Sequence, residues 1–153
     1  MSLSKLDQLY RQVILDAASH PKHHGELADA TQSVTLKNPS CGDLLTLDLD
    51  VRDGVIQDIA FSGSGCTISQ ASASLMTTQV LHQPVDKALA DVQIFSDLII
   101  DGDHPQKDQL GDAAILVGVH QFPARIKCAT LAWKALYQAL TKGENNDDRD
   151  QEY

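Results

Sequence analysis

Three cysteines and one aspartate carry the chemistry this sequence offers: Cys41, Asp43, Cys66 and Cys128. Cys41 and Asp43 share the turn Asn38-Pro39-Ser40-Cys41-Gly42-Asp43, Cys66 follows Gly63-Ser64-Gly65, and Cys128 stands shortly after Pro123. Thiolates are both nucleophiles and metal ligands. Three sulfurs with one carboxylate make a donor set that a tetrahedral zinc ion accepts. The paired Cys-x-x-Cys knuckles of most structural zinc sites are absent. Each cysteine sits instead at a turn or a helix start, where backbone N–H groups support a thiolate. One carboxylate among thiolates binds less softly than a fourth cysteine would, which favours an exchangeable ligand set. Such a site keeps net negative charge even around a divalent cation. Arg125 and Lys127, immediately before Cys128, are placed to balance it or to meet a partner, or else are solvated surface charges.

The elements that must bring these residues together can be read from pattern. Leu45, Leu47, Leu49 and Val51 alternate with polar residues, the mark of a strand with one buried face. Asp53-Gly54 supplies a two-residue hairpin turn, and the return strand 55–61 puts Val55, Ile59 and Phe61 on one face. The hairpin is antiparallel, so its open end brings the loop of Cys41 and Asp43 beside the loop of Cys66. Ser33 to Lys37 reads as a further short strand. Gly63 and Gly65 allow positive φ and a close approach of backbone to whatever Cys66 touches.

Helical spacing marks a first amphipathic helix through Leu6, Leu9, Tyr10, Val13, Ile14 and Ala17, with Ser4 as its N-cap. A second runs from Thr67 to about Leu81, with its small serines and alanines outward. A third opens at Pro84 and turns Leu89, Val92 and Phe95 inward. A short helical segment spans Asp112 to Val119, and a last helix starts at Pro123 and carries Leu131, Trp133, Leu136, Tyr137 and Leu140. Cys128 falls in its first turns, so a helix crossing the sheet can aim that thiol at the hairpin's open end. The trio His20, His23 and His24 lies in a Pro/Gly loop, where neighbouring histidines do not converge on one ion without other ligands.

Composition narrows the function. The net charge of −9 over 153 residues argues against a nucleic-acid partner and against an anionic membrane surface. No apolar run follows a basic start and none is long enough to span a bilayer, so a cytoplasmic protein is expected. An odd number of cysteines in that setting argues for metal or catalytic use over a disulfide framework.

The three cysteine segments together, Asn38 to Asp43, Gly63 to Ser74 and Arg125-Ile126-Lys127-Cys128-Ala129-Thr130-Leu131-Ala132-Trp133, resemble the signature segments of the IscU/NifU-like iron–sulfur cluster assembly family, and most closely its SufU branch. The resemblance implies an α+β fold (SufE/NifU-like) in residues 1–142: a small antiparallel sheet with helices packed on one face and the metal site at one end. An acidic tail, 143–153, is expected to be disordered. Scaffold members of the family carry a histidine directly before the third cysteine, where this chain has Lys127. The stretch around Asp101 to Gln121 is also longer than in those scaffolds, and both features match the SufU branch. That branch implies a zinc-dependent sulfurtransferase: Zn2+ on Cys41, Asp43, Cys66 and Cys128, with Cys41 accepting persulfide sulfur from a pyridoxal-phosphate-dependent, SufS-like cysteine desulfurase and passing it to downstream assembly proteins. Asp43 would keep the metal bound while Cys41 leaves, and Arg125 would serve the reaction beside Cys128. Two alternatives remain open from the residues: a scaffold building a [2Fe–2S] cluster on the same ligands, and a structural zinc or adaptor protein.

Overall fold

The computed structural model describes residues 3–38 and 42–141; Cys41 and the acidic tail lie outside them. Three antiparallel strands, β1 (Gln32–Asn38), β2 (Asp43–Arg52) and β3 (Val55–Ser64), form a sheet in the order β1-β2-β3. Alternation sets its faces: Val34, Leu36, Leu45, Leu47 and Leu49 are buried against the helices, while Ser33, Thr35 and Lys37 face solvent. At the β2–β3 turn both central residues have positive φ, 56° at Asp53 and 73° at Gly54. This is the geometry whose twist matches the paired strands.

The buried face of β3 departs from the simple alternation. Asp50 pairs with Asp58 but Val51 pairs with Ile56, so Gln57 is an extra residue without a partner across the ladder. Such a bulge shifts the alternation by one. Ile56, Ile59 and Phe61 therefore face the core, and Val55 is left half-buried.

The helices are α1 (Leu3–Ser19), α2 (Thr67–Val80), α3 (Val85–Asp101) and α4 (Pro123–Thr141), with a 3-10 segment over Lys107–Gln121. α1 begins one residue before Ser4, which therefore lies inside the first turn and not at the cap. α4 crosses β1 and β2, while α2 packs on β3 and between α1 and α4. That central position reverses the expected orientation of α2: Ser69, Ala71, Ser72, Ala73 and Ser74 are all buried, because small side chains let neighbouring helices approach on two sides. On α3 the inward residues are Ala88, Asp91, Ile94, Phe95, Leu98 and Ile99, with Leu89 and Val92 half-buried on the flanks. The short segment expected near Asp112 is instead a longer 3-10 stretch kinked at Gly111 (φ 59°, ψ −136°).

Two buried contacts set α4 against its neighbours. The Trp133 ring stacks on Phe95 with centroids 4.3 Å apart, an arrangement worth about 0.5–1.5 kcal/mol beyond area burial. Trp133 Nε1 donates to Ser72 Oγ at 3.1 Å, and Ser72 Oγ donates to the Ala129 carbonyl at 2.5 Å. This chain of bonds joins the helix that follows Cys66 to the residue after Cys128.

Candidate metal centre

Each donor is delivered by a different element. Asp43 opens β2 and is paired across the sheet with Asn38, the last residue of β1. The loop between them, which contains Cys41, is closed by a hydrogen bond from the Gly42 amide to the Asn38 carbonyl at 2.8 Å. Cys66 is the N-cap of α2, where its sulfur accepts the Ser69 amide at 3.4 Å. Cys128 lies in the second turn of α4 and is fully buried. The ligand atoms of Asp43, Cys66 and Cys128 all lie within 4.8 Å of one another. Among the described residues, these are the ones drawn together as a group of potential metal donors. Cys41, the fourth expected ligand, lies outside the described residues.

Residues that the chemistry did not single out complete the centre. Asp43 is 2% exposed, and its two oxygens are treated differently. Oδ1 accepts the Cys66 amide at 3.0 Å and the Ser69 hydroxyl at 3.3 Å. Oδ2 accepts Asn38 Nδ2 at 3.4 Å, and the same amide nitrogen lies 3.8 Å from Cys128 Sγ. Gly65 is needed here for room and not for positive φ: a Cβ on it would stand 2.7 Å from Asp43 Oδ1 and 2.3 Å from Ser69 Oγ. Gly63 does take positive φ, at 124°. Signals for both new residues were present in the sequence. Asn38 precedes the proline of the cysteine turn, and Ser69 stands three residues after an N-cap, where a partner of the cap belongs.

Of the two cations before Cys128, Arg125 Nη1 reaches 3.9 Å from the Cys128 sulfur, while Lys127 is exposed on α4. Each histidine of the trio has a contact of its own. His20 pairs with Asp16 at 3.5 Å, His23 Nδ1 bonds Thr77 Oγ1 at 2.9 Å, and His24 sets its ring edge-on to Phe61.

The donor set fits a metal ion. Zinc–sulfur bonds of about 2.3 Å and zinc–oxygen bonds of about 2.0–2.2 Å put neighbouring tetrahedral ligand atoms roughly 3.5–3.8 Å apart. Atoms already within 4.8 Å reach that spacing by small side-chain rotations. Asp43 and Cys128 are buried and Cys66 is half-buried, and a cation among them would offset the cost of a buried carboxylate and of any thiolate formed there.

Comparison with known proteins places most of the chain among iron–sulfur cluster assembly proteins. The chain is 46% identical over 145 residues, 95% of its length and 91% of the relative's, to "Iron-sulfur cluster assembly scaffold protein IscU" of Streptococcus pyogenes serotype M1. It is 42% identical, over 94% of its length and 97% of the relative's, to "Zinc-dependent sulfurtransferase SufU" of Bacillus subtilis strain 168. A solved structure from Fervidobacterium islandicum AW-1, described as a scaffold protein for the SUF system, superposes with a TM-score of 0.82 at 33% identity, covering 88% of this chain and 98% of that one. The profile of the NifU-like N terminal domain matches residues 9–129, and the chain belongs to that family.

Proposed function

We propose that this protein acts in iron–sulfur cluster assembly as a zinc-dependent sulfur acceptor. Asp43, Cys66 and Cys128, with Cys41, would hold the ion. The observation that carries the reading is the meeting of Asp43, Cys66 and Cys128 from β2, the start of α2 and α4 at one end of the sheet. Cys41 is two residues from Asp43 along the chain, and the described residues on either side of it, Asn38 and Gly42, are joined by a hydrogen bond. When bound, the ion supplies one thing: it keeps cysteine sulfur deprotonated at neutral pH without leaving it free to react.

The chain's own residues supply the rest. Ser69 and the Cys66 amide fix the Asp43 carboxylate. Arg125 brings positive charge to the Cys128 sulfur, where a negatively charged persulfide would have to approach. Cys41 would be the ligand that is released, and its thiolate would attack the outer sulfur of a cysteine persulfide on a pyridoxal-phosphate-dependent desulfurase. A new S–S bond forms on Cys41, the donor's S–S bond breaks, and the donor cysteine leaves as thiolate, so the exchange is redox-neutral. The name of the Bacillus subtilis relative supports this reading, and so does Lys127 in place of a scaffold's histidine. A cytoplasmic setting, where thiols stay reduced, suits it.

A second reading, a scaffold for a [2Fe–2S] cluster, is supported by the same thiolate donors and by the name of the Streptococcus pyogenes relative. The two are separated by incubating the purified protein with a desulfurase and cysteine, then weighing it. Sulfur transfer predicts a mass gain of one sulfur that is lost on thiol reduction and absent in Cys41→Ala. A scaffold predicts visible cluster absorbance after iron is added, and no dependence of desulfurase turnover on Cys41.

A further inference from the structure

A ligand that must be released and ligands that must stay need different surroundings. If Cys41 is to leave the ion, as the proposed function requires, some other part of the centre has to keep the ion in place. Asp43 and Cys128 are the most buried donors, at 2% and 0% exposed. Both are touched by one side chain, Asn38, itself 3% exposed. Its amide nitrogen has two hydrogens and stands 3.4 Å from Asp43 Oδ2 and 3.8 Å from Cys128 Sγ. The remaining carboxylate oxygen, Oδ1, is already engaged by the Cys66 amide and Ser69. The two oxygens of Asp43 are therefore not equivalent. Oδ1 is tied to the start of α2, while Oδ2 has a single long hydrogen bond and keeps a lone pair for an ion.

We infer that Asn38 is a positioning residue that holds Asp43 and Cys128 together as the fixed half of the metal site, with Oδ2 as the metal-binding oxygen. The inference rests on the proposed metal-held acceptor site and deepens it. Backbone geometry backs the assignment, because Asn38 is the register partner of Asp43 at the end of the β1–β2 ladder and its carbonyl anchors the Gly42 amide. One residue thus ties the base of the Cys41 loop to the two donors that stay. Hydrogen bonds to ligand atoms orient them and tune the ion, and removing one commonly costs 10–100-fold in metal affinity.

The test uses full-length protein loaded with Zn2+ for release kinetics and with Co2+ for spectroscopy. Asn38→Leu keeps the volume and removes both donors; Asn38→Thr keeps one hydroxyl donor and guards against a folding defect in the first. Ser72→Ala is the control for a purely structural loss, since Ser72 links α2 to α4 without touching a donor atom. The expected result is Zn2+ transfer to a chromogenic chelator about 10–100-fold faster in Asn38→Leu, with Asn38→Thr in between. The thiolate-to-Co2+ charge-transfer band moves to lower energy as the Cys128 sulfur loses the Asn38 donor, and Ser72→Ala leaves the band where it is. Equal release rates and superimposable bands for wild type and both Asn38 variants overturn the inference and leave the metal site standing. A wild-type protein that gives no thiolate-to-Co2+ band overturns the metal site and the inference together.

Discussion

The two ends of the β2–β3 hairpin are built from the same strands and obey opposite rules. At the turn end, Asp53-Gly54 has the backbone its hairpin needs, and the exposed Arg52 guanidinium pairs with Asp50 at 2.7 Å. The hydrogen bond to Asp50, helped by its charge, holds the Arg52 pKa above its ordinary value. At the open end, a buried carboxylate, a buried sulfur and a half-buried one crowd together, and Gly65 has no room for a side chain. One end is arranged for folding. The other gathers donor atoms that could hold a metal ion.

That contrast can be broken by substitution, and the largest effect belongs to the donors. Removing one ligand from a four-ligand ion whose binding is worth about 10–16 kcal/mol forfeits roughly 3 kcal/mol, or about 100-fold in affinity. Cys128→Ser is therefore expected to weaken Zn2+ binding by about two orders of magnitude in a competition titration. An unchanged affinity would remove Cys128 from the site.

A smaller effect is expected of Gly65→Ala. Its new methyl meets Asp43 Oδ1 and Ser69 Oγ at once, an overpacking worth about 1–3 kcal/mol. The displaced carboxylate should also lower Zn2+ affinity about 10-fold. Denaturant unfolding and metal titration on one sample check both halves.

The smallest effect belongs to the turn end. Gly54→Ala forces a left-handed backbone on a side chain at a cost of about 1–2 kcal/mol. That lowers the thermal midpoint by roughly 2–8 °C for a chain of this size and should leave Zn2+ affinity unchanged. Arg52→Ala is expected to move neither quantity measurably. A loss of metal affinity from either turn variant would show that the two ends are coupled.

How much was legible in the sequence follows the same division. The hairpin was readable because alternation and Asp-Gly are local signals, and its antiparallel pairing already placed the Asp43 and Cys66 loops side by side. Pro123 marked the start of α4 and hence the depth of Cys128. The inward residues of β3 were misjudged at Val55, because the bulge at Gln57 is set by cross-strand pairing with Asp50 and Val51 and leaves no mark in β3 alone. The Lys107–Gln121 stretch was read only in part, as a short helical segment over Asp112 to Val119, because its buried residues Leu110, Ala113, Leu116 and Val119 repeat every three residues. That is the 3-10 period, not the helical spacing sought. The small residues of α2 are polar or neutral by type, and only the packing of α1 and α4 on either side makes them core. Asn38 and Ser69 were passed over because neither is a metal donor, and their part in the centre lies in what they hold.

The proposed chemistry depends on the ligand shell of the ion. X-ray absorption at the zinc edge of freshly purified, full-length protein measures it without any partner. Three sulfurs near 2.3 Å and one oxygen near 2.0–2.2 Å are predicted, at one zinc per chain. A shell of nitrogen and oxygen alone, or protein that holds no stoichiometric metal, would contradict it.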